Sequence, residues 1–179
     1  MHRKSFNNAL LIVSAAITVL VAAKPELTAY GMGEITLSYP ISAIIASIVI
    51  GPLAHYGFFH FLSNAFLLLY FGKPIENTIG AKKYASFFAF VTIVSAVSAL
   101  ALETHRAIIG LDSFAMAVCA YTIVKMHQTK HPEIGGGYLF VLIFVGLDYA
   151  NGYGIVANAA GLLAGLAFVF SERLLTKSD

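Results

Sequence analysis

The chain has no tryptophan, a single cysteine and little charge. One thiol, Cys119, cannot close an internal disulfide, and between Val118 and Ala120 it reads as a small buried hydrophobe without a chemical role. Charged residues make up 11% of the 179 residues and hydrophobic residues 59%, with a mean hydropathy of +0.81. Those proportions exclude an ordinary soluble domain. The net charge of +2 comes from eleven basic and nine acidic residues in small clusters, which leaves no extended basic surface for a nucleic-acid partner. Internal repeats and low-complexity tracts are also absent, so residues 1–179 read as one membrane domain whose first partner is the lipid bilayer.

What is present is a series of apolar runs. A helix needs about 20 apolar residues to span the hydrocarbon core, and somewhat fewer when neighbouring helices shield it. Six segments meet that description: Phe6 to Ala23, His60 to Phe71, Tyr84 to Leu102, Ala107 to Val124, Tyr138 to Leu147 and Gly154 to Phe170. The first follows Arg3 and Lys4, as a signal peptide would, yet its apolar stretch is too long and no cleavage site follows, so it is expected to be retained. A further run, Ile41 to Ile50, is only about ten residues long and follows Pro40, which suits an interfacial or partly embedded element.

The basic residues orient this series. Arg3, Lys4, Lys73, Lys82, Lys83, Lys125, Lys130, Arg173 and Lys177 fall on one side of a six-span topology, against Lys24 and Arg106 on the other. The positive-inside rule then puts both termini in the cytoplasm, and five or seven spans would scatter the same charges over both faces. The expectation is an all-α, polytopic bundle of six transmembrane helices.

Polar residues inside apolar runs are costly and by default mark functional sites. Asp112 is the most conspicuous, a lone carboxylate in AIIGLDSFAMAVCAY, with Ser113 beside it. His60 and Asn64 are four residues apart and share a helix face, with His55 about a turn and a half earlier. On the last span Asn158 is followed at helical spacing by Gly161 and Gly165, a pattern that lets another helix approach closely. These residues alone leave several readings open. Asp112 can pair with His60, or hydrogen-bond both His60 and Asn158 in a satisfied network. It can share a proton with Asp148, since Gly110-Leu111-Asp112 and Gly146-Leu147-Asp148 echo one another. His55, His60 and Asp112 offer three metal-ligand types at a spacing that matches no known motif, so neither metal nor cofactor is expected.

The run HYGFFHFLSNAFLLLYFGKPIENTIGAKK, His55 to Lys83, resembles the second span of the rhomboid intramembrane serine proteases. It carries two histidines five residues apart, an asparagine four further on, and then Phe71, Gly72, Glu76 and Gly80 at the family's positions. GLDSFAMAVCAY, Gly110 to Tyr121, aligns without gaps to the nucleophile segment, and VANAAGLLAG, Val156 to Gly165, to the A-H-x-x-G-x-x-x-G pattern of the last span. The likeness covers residues 55–172 and is similar to the compact bacterial and archaeal form, which implies a multi-pass protein of a prokaryotic inner (plasma) membrane. It further implies His60 and Asn64 as an oxyanion-stabilising pair, and transmembrane segments of substrate or client proteins as partners.

Both members of the catalytic dyad depart from the family pattern. The nucleophilic serine's position is Asp112, the glycine after it is Ser113, and the general base's position is Asn158. The aromatic residue that packs on the family's catalytic histidine falls at Met116, and without tryptophan the Trp-Arg pair of the first outer loop has no counterpart. A displaced nucleophile at Ser113 requires an adjacent base. No histidine follows His131, which leaves His60 or His55 for that role. The reading is therefore a rhomboid-like pseudoprotease that binds client transmembrane segments, with an active endopeptidase using a non-standard residue set as the alternative.

Overall fold

The computed structural model describes residues 5–24, 26, 40–102, 109–151 and 155–176. The basic residues Arg3, Lys4, Arg106 and Lys177, with most of the loop after Lys24, lie outside the described residues, as does the Asp148 side chain. Among the described residues every regular element is helical.

The first helix, α1 (Phe6–Ala23), is capped by Ser5, whose hydroxyl accepts from the Asn8 N–H. The short apolar helix α2 (Ile41–Ile50) begins after Pro40 and runs into a tight turn, Gly51–Leu53. It exposes Ile41, Ile45 and Val49 along one stripe and buries Ile44 and Ser47 on another. From Phe58 the chain is helical to Ile79, in three parts: α3 (Phe58–Leu67), a widened π turn (Leu68–Gly72) and α4 (Lys73–Ile79). Gly80, at φ +85°, ends this helix in a conformation that an L side chain rarely adopts. The remaining helices are α5 (Ala81–Ala101), α6 (Asp112–Gln128), α7 (Ile134–Asn151) and α8 (Ile155–Thr176).

The protein is an all-α, polytopic membrane protein. Phe6–Ala23, Ala81–Ala101 and Ile155–Glu172 are each long and apolar enough to cross a bilayer, and Ile41–Leu53 with Phe58–Ile79 meet the same test as a pair bent by 72°. Among the described residues, by length and apolarity alone, that is three spans, or four with the bent pair, where the sequence reading has six. The fourth expected span illustrates why. It was to start at Ala107, but Gly110 turns the chain at φ +87° and α6 begins at Asp112 with 17 residues. Asp112 therefore sits in a first helical turn, not in mid-helix.

α6 is the centre of the molecule: Asp112 to Tyr121 are buried without interruption, and the helix makes its longest seam with α8. That seam depends on glycine. A Cβ on Gly161 would lie 2.2 Å from the Ser113 carbonyl oxygen, and one on Gly165 would lie 2.4 Å from that of Ala117. Around α6, Phe87, Phe114, Tyr84 and Phe88 pack edge to face, with Phe168 stacked on Phe87 at 4.3 Å.

Two buried acids tie the helices together at one end. The Glu76 carboxylate accepts from the Ser5 hydroxyl at 2.6 Å, from Lys73 at 3.1 Å and from the Phe6 and Asn7 N–H groups, so it satisfies the open donors at the start of α1. Asn7 then donates to the Leu68 carbonyl in the π turn and accepts from the Tyr84 hydroxyl, joining α1, the α3–α4 helix and α5. Glu172 holds α5, α6 and α8 through Lys83 at 2.7 Å and Tyr121 at 2.6 Å.

The seam generates a prediction with opposite signs. A helical glycine costs about 1 kcal/mol relative to alanine, whereas overpacking against backbone costs about 1–3 kcal/mol. Gly161→Val and Gly165→Val should lower the melting temperature of the purified protein. Gly146→Ala, where a Cβ meets nothing within 4 Å, should leave it unchanged or raise it.

Candidate functional site

The site forms where the chain before α6 crosses the start of α3. The Gly110 N–H donates to the Gly51 carbonyl at 3.0 Å and the Leu111 N–H donates to His55 Nε2 at 3.3 Å. Both bonds pin the turn that delivers Asp112. Gly110 is obligatory here for two reasons, its positive φ and the absence of room: a Cβ would stand 2.9 Å from His60 Cε1 and 3.2 Å from His55 Cδ2.

His55 is fixed from several directions. Because Nε2 accepts from Leu111, the neutral ring carries its proton on Nδ1, which faces Ser14 Oγ at 3.3 Å and Thr18 Oγ1 at 3.2 Å. The Ser14 hydroxyl in turn donates to the Leu53 carbonyl at 2.7 Å. The His55 ring meets that of His60 edge to face at 5.0 Å, and Tyr56 stacks over His60 at 6.3 Å.

Held in this way, His60 turns Nε2 onto both oxygens of Asp112, at 2.9 and 2.8 Å. Asn64, one turn along α3, donates through Nδ2 to Asp112 Oδ1 at 2.5 Å and to the His60 carbonyl at 3.2 Å. Asp112 is 5% exposed. A carboxylate so enclosed is tolerated only when it is paired and hydrogen-bonded, and two neighbouring donors supply that.

Ser113 points elsewhere, its hydroxyl donating to Asn158 Oδ1 on α8 at 3.3 Å. Beneath it lies Gly161. The next residue back on α8, Ala157, accepts from the Ser95 hydroxyl at 3.2 Å. The polar residues singled out in the sequence thus gather into two adjoining groups: His55, His60, Asn64 and Asp112 in one, Ser113 and Asn158 in the other. Among the described residues no group of three or more His, Cys, Asp or Glu side chains is arranged to hold a metal ion.

The arrangement limits the chemistry. A serine nucleophile needs a base to take its proton, and the group bonded to the Ser113 hydroxyl is a carboxamide oxygen, which is not one. The His60 imidazole is committed to Asp112 instead, and that of His55 to Ser14, Thr18 and the Leu111 N–H.

The sequence reading overlooked Ser14 and Thr18, which position His55, and Tyr56, which covers His60. A signal existed for the first two. Asn7, Ser14 and Thr18 recur at i, i+7 and i+11 along an otherwise apolar helix, and all three are buried. Tyr56 offered none, since an aromatic before a helix is common in any membrane protein.

The family model described as Rhomboid domain matches residues 46–173, well over half of the chain. The match takes in every residue of both polar groups and leaves out Ser14 and Thr18, which brace His55 from α1. Comparison with the curated proteins finds no match.

The carboxylate and its donors form a unit that a double-mutant cycle can measure. Removing His60 or Asn64 leaves a buried charge short of a partner, so His60→Ala and Asn64→Ala should each destabilise by about 3 kcal/mol. Each should cost much less in an Asp112→Ala background, with a coupling of about 1–3 kcal/mol in reversible unfolding in mixed micelles. Additive effects would mean that the pairing contributes nothing.

Proposed function

Because this chain belongs to the rhomboid family, we propose that it is a proteolytically inactive member, one that recognises transmembrane segments of client proteins and does not hydrolyse them. The observation that carries this reading is the carboxyl group already in the site. Where the family resemblance puts the serine stands a carboxylate, and it takes both donors, His60 and Asn64, that the resemblance makes the oxyanion-stabilising pair. Such donors accelerate acyl transfer by meeting a charge that develops only in the transition state. A carboxyl group in their grasp occupies both donors and leaves nothing for the substrate oxygen to gain.

Recognition of a transmembrane segment is supported by what surrounds the polar groups. Small residues line the α6–α8 seam. α7 joins α6 and α8 over shorter seams and shows Leu139, Leu142, Ile143 and Val145 outward. A client helix entering beside α7 would replace lipid on that face with packing and would bring its own polar groups to His60 and Asn158. This reading takes six spans with both termini in the cytoplasm of a prokaryotic cell, and needs neither metal nor cofactor.

One observation favours the alternative, an active endopeptidase with an unusual residue set. Ser113 faces position 158 across the α6–α8 seam, the position at which the family carries its base. That route requires His60 or another base to reach Ser113.

The test is cleavage of a generic model transmembrane substrate in liposomes by the unmodified protein, by Asp112→Ser/Asn158→His and by Ser113→Ala. The expected outcome is no product from the unmodified protein and product from the double variant. Cleavage by the unmodified protein that Ser113→Ala abolishes would establish the alternative. The same labelled substrate should show energy transfer to the unmodified protein in the same liposomes, and its absence would remove the client-binding half of the proposal.

A further inference from the structure

We infer that this chain holds an anionic phospholipid of the surrounding bilayer in a cavity between α4 and the last two turns of α6, on the opposite side of the molecule's core from Asp112. The inference is independent of whether the protein cleaves anything.

The cavity measures about 350 Å³ and opens outward, within the range of natural small-molecule sites. Its body is apolar. Phe71, Pro74 and Ile75 form one wall and Met126 part of the other, while Tyr70, packed edge to face on Phe71 at 4.8 Å, stands 60% exposed at its margin. The threonines around it contribute less polarity than their number suggests. Thr78 donates to the Pro74 carbonyl at 2.9 Å, Thr122 to Val118 at 2.9 Å and Thr129 to Lys125 at 3.1 Å, so each spends its proton on its own helix. A ligand here must be mostly hydrocarbon.

Its polar end must be negative, because among the described residues the one charged group in the lining is the Lys125 ammonium. Lys125 shares Glu172 with Lys83, and the sharing is unequal. Lys83 sits 2.7 Å from Oε1, while Oε2 accepts from Tyr121 at 2.6 Å and keeps Lys125 at 3.6 Å. Two ammonium groups on one carboxylate leave a net positive charge, and the looser of the two is the one at the cavity mouth. Its Nζ stands 5.3 Å from the Tyr121 ring centroid, which holds it in place without neutralising it. A basic residue above an apolar slot between membrane helices matches a phospholipid headgroup above its chain. A water-soluble anion would satisfy Lys125 and leave the slot empty.

The experiment is native mass spectrometry of the full chain released from micelles. The probes are phosphatidylglycerol and phosphatidylcholine of identical chains, and inorganic phosphate. The unmodified protein should retain one phosphatidylglycerol about five-fold over phosphatidylcholine, the weight of one basic residue beside an anionic lipid. Lys125→Gln should abolish the preference and Lys130→Gln should not. Thr78→Phe, an exposed position that would fill the cavity from its open side, should reduce retention of both lipids and leaves Lys125 in place, so a misfolded Lys125 variant does not blunt the test. Equal retention of the two lipids by the unmodified protein, an unchanged preference in Lys125→Gln, or Lys125-dependent binding of phosphate without lipid would each overturn the proposal.

Discussion

A carboxylate inside a membrane protein has to be answered by donors, and the neighbourhood of Asp112 is organised to provide them. His60 reaches it only because Gly110 leaves space for the ring, because His55 braces that ring from the side and because Tyr56 lies over it. His55 depends in turn on Ser14 and Thr18 of α1 and on the Leu111 N–H. One buried charge therefore couples α1, the turn after α2, the start of α3 and the start of α6. In a low dielectric such a network is stable when every member is satisfied and costly when one is missing.

The second constraint is steric. Without a hydrophobic drive between helices in lipid, close approach has to come from small residues, and Gly161 and Gly165 bring α8 onto the backbone of α6. That approach is what sets Ser113 against Asn158 and turns it away from the His60 group. The partition of the polar residues into two groups follows from this seam, since Asp112 and Ser113 are adjacent on a helix and point roughly 100° apart. A hydroxyl on a carboxamide and a carboxylate on an imidazole are both satisfied pairs, and neither is a nucleophile with its base.

At the other end, Glu76 and Glu172 do structural work of a similar kind. Glu76 answers the open N–H groups of α1, and Glu172 is gripped by Lys83 and Tyr121. Because the first acid is matched by one lysine and the second is approached by two, positive charge remains beside Lys125, where the cavity under α4 opens.

Composition and apolar run length by themselves determined that this is a helical membrane protein, because only helices and closed barrels satisfy backbone groups in hydrocarbon, and barrel strands alternate polar with apolar residues where these runs are continuously apolar. Short-range spacing determined which residues could share a face: His60 with Asn64, Asn158 with Gly161 and Gly165. Spacing along one helix says nothing about rotation relative to its neighbours, so the partners of Asp112, the turn of Ser113 toward α8 and the bracing of His55 by α1 were decided only by the tertiary structure. The start of α6 at Asp112, five residues later than the apolar run suggested, was decided there too. Hydropathy counts apolar residues and cannot sense that Gly110 takes a positive φ beneath two histidine rings.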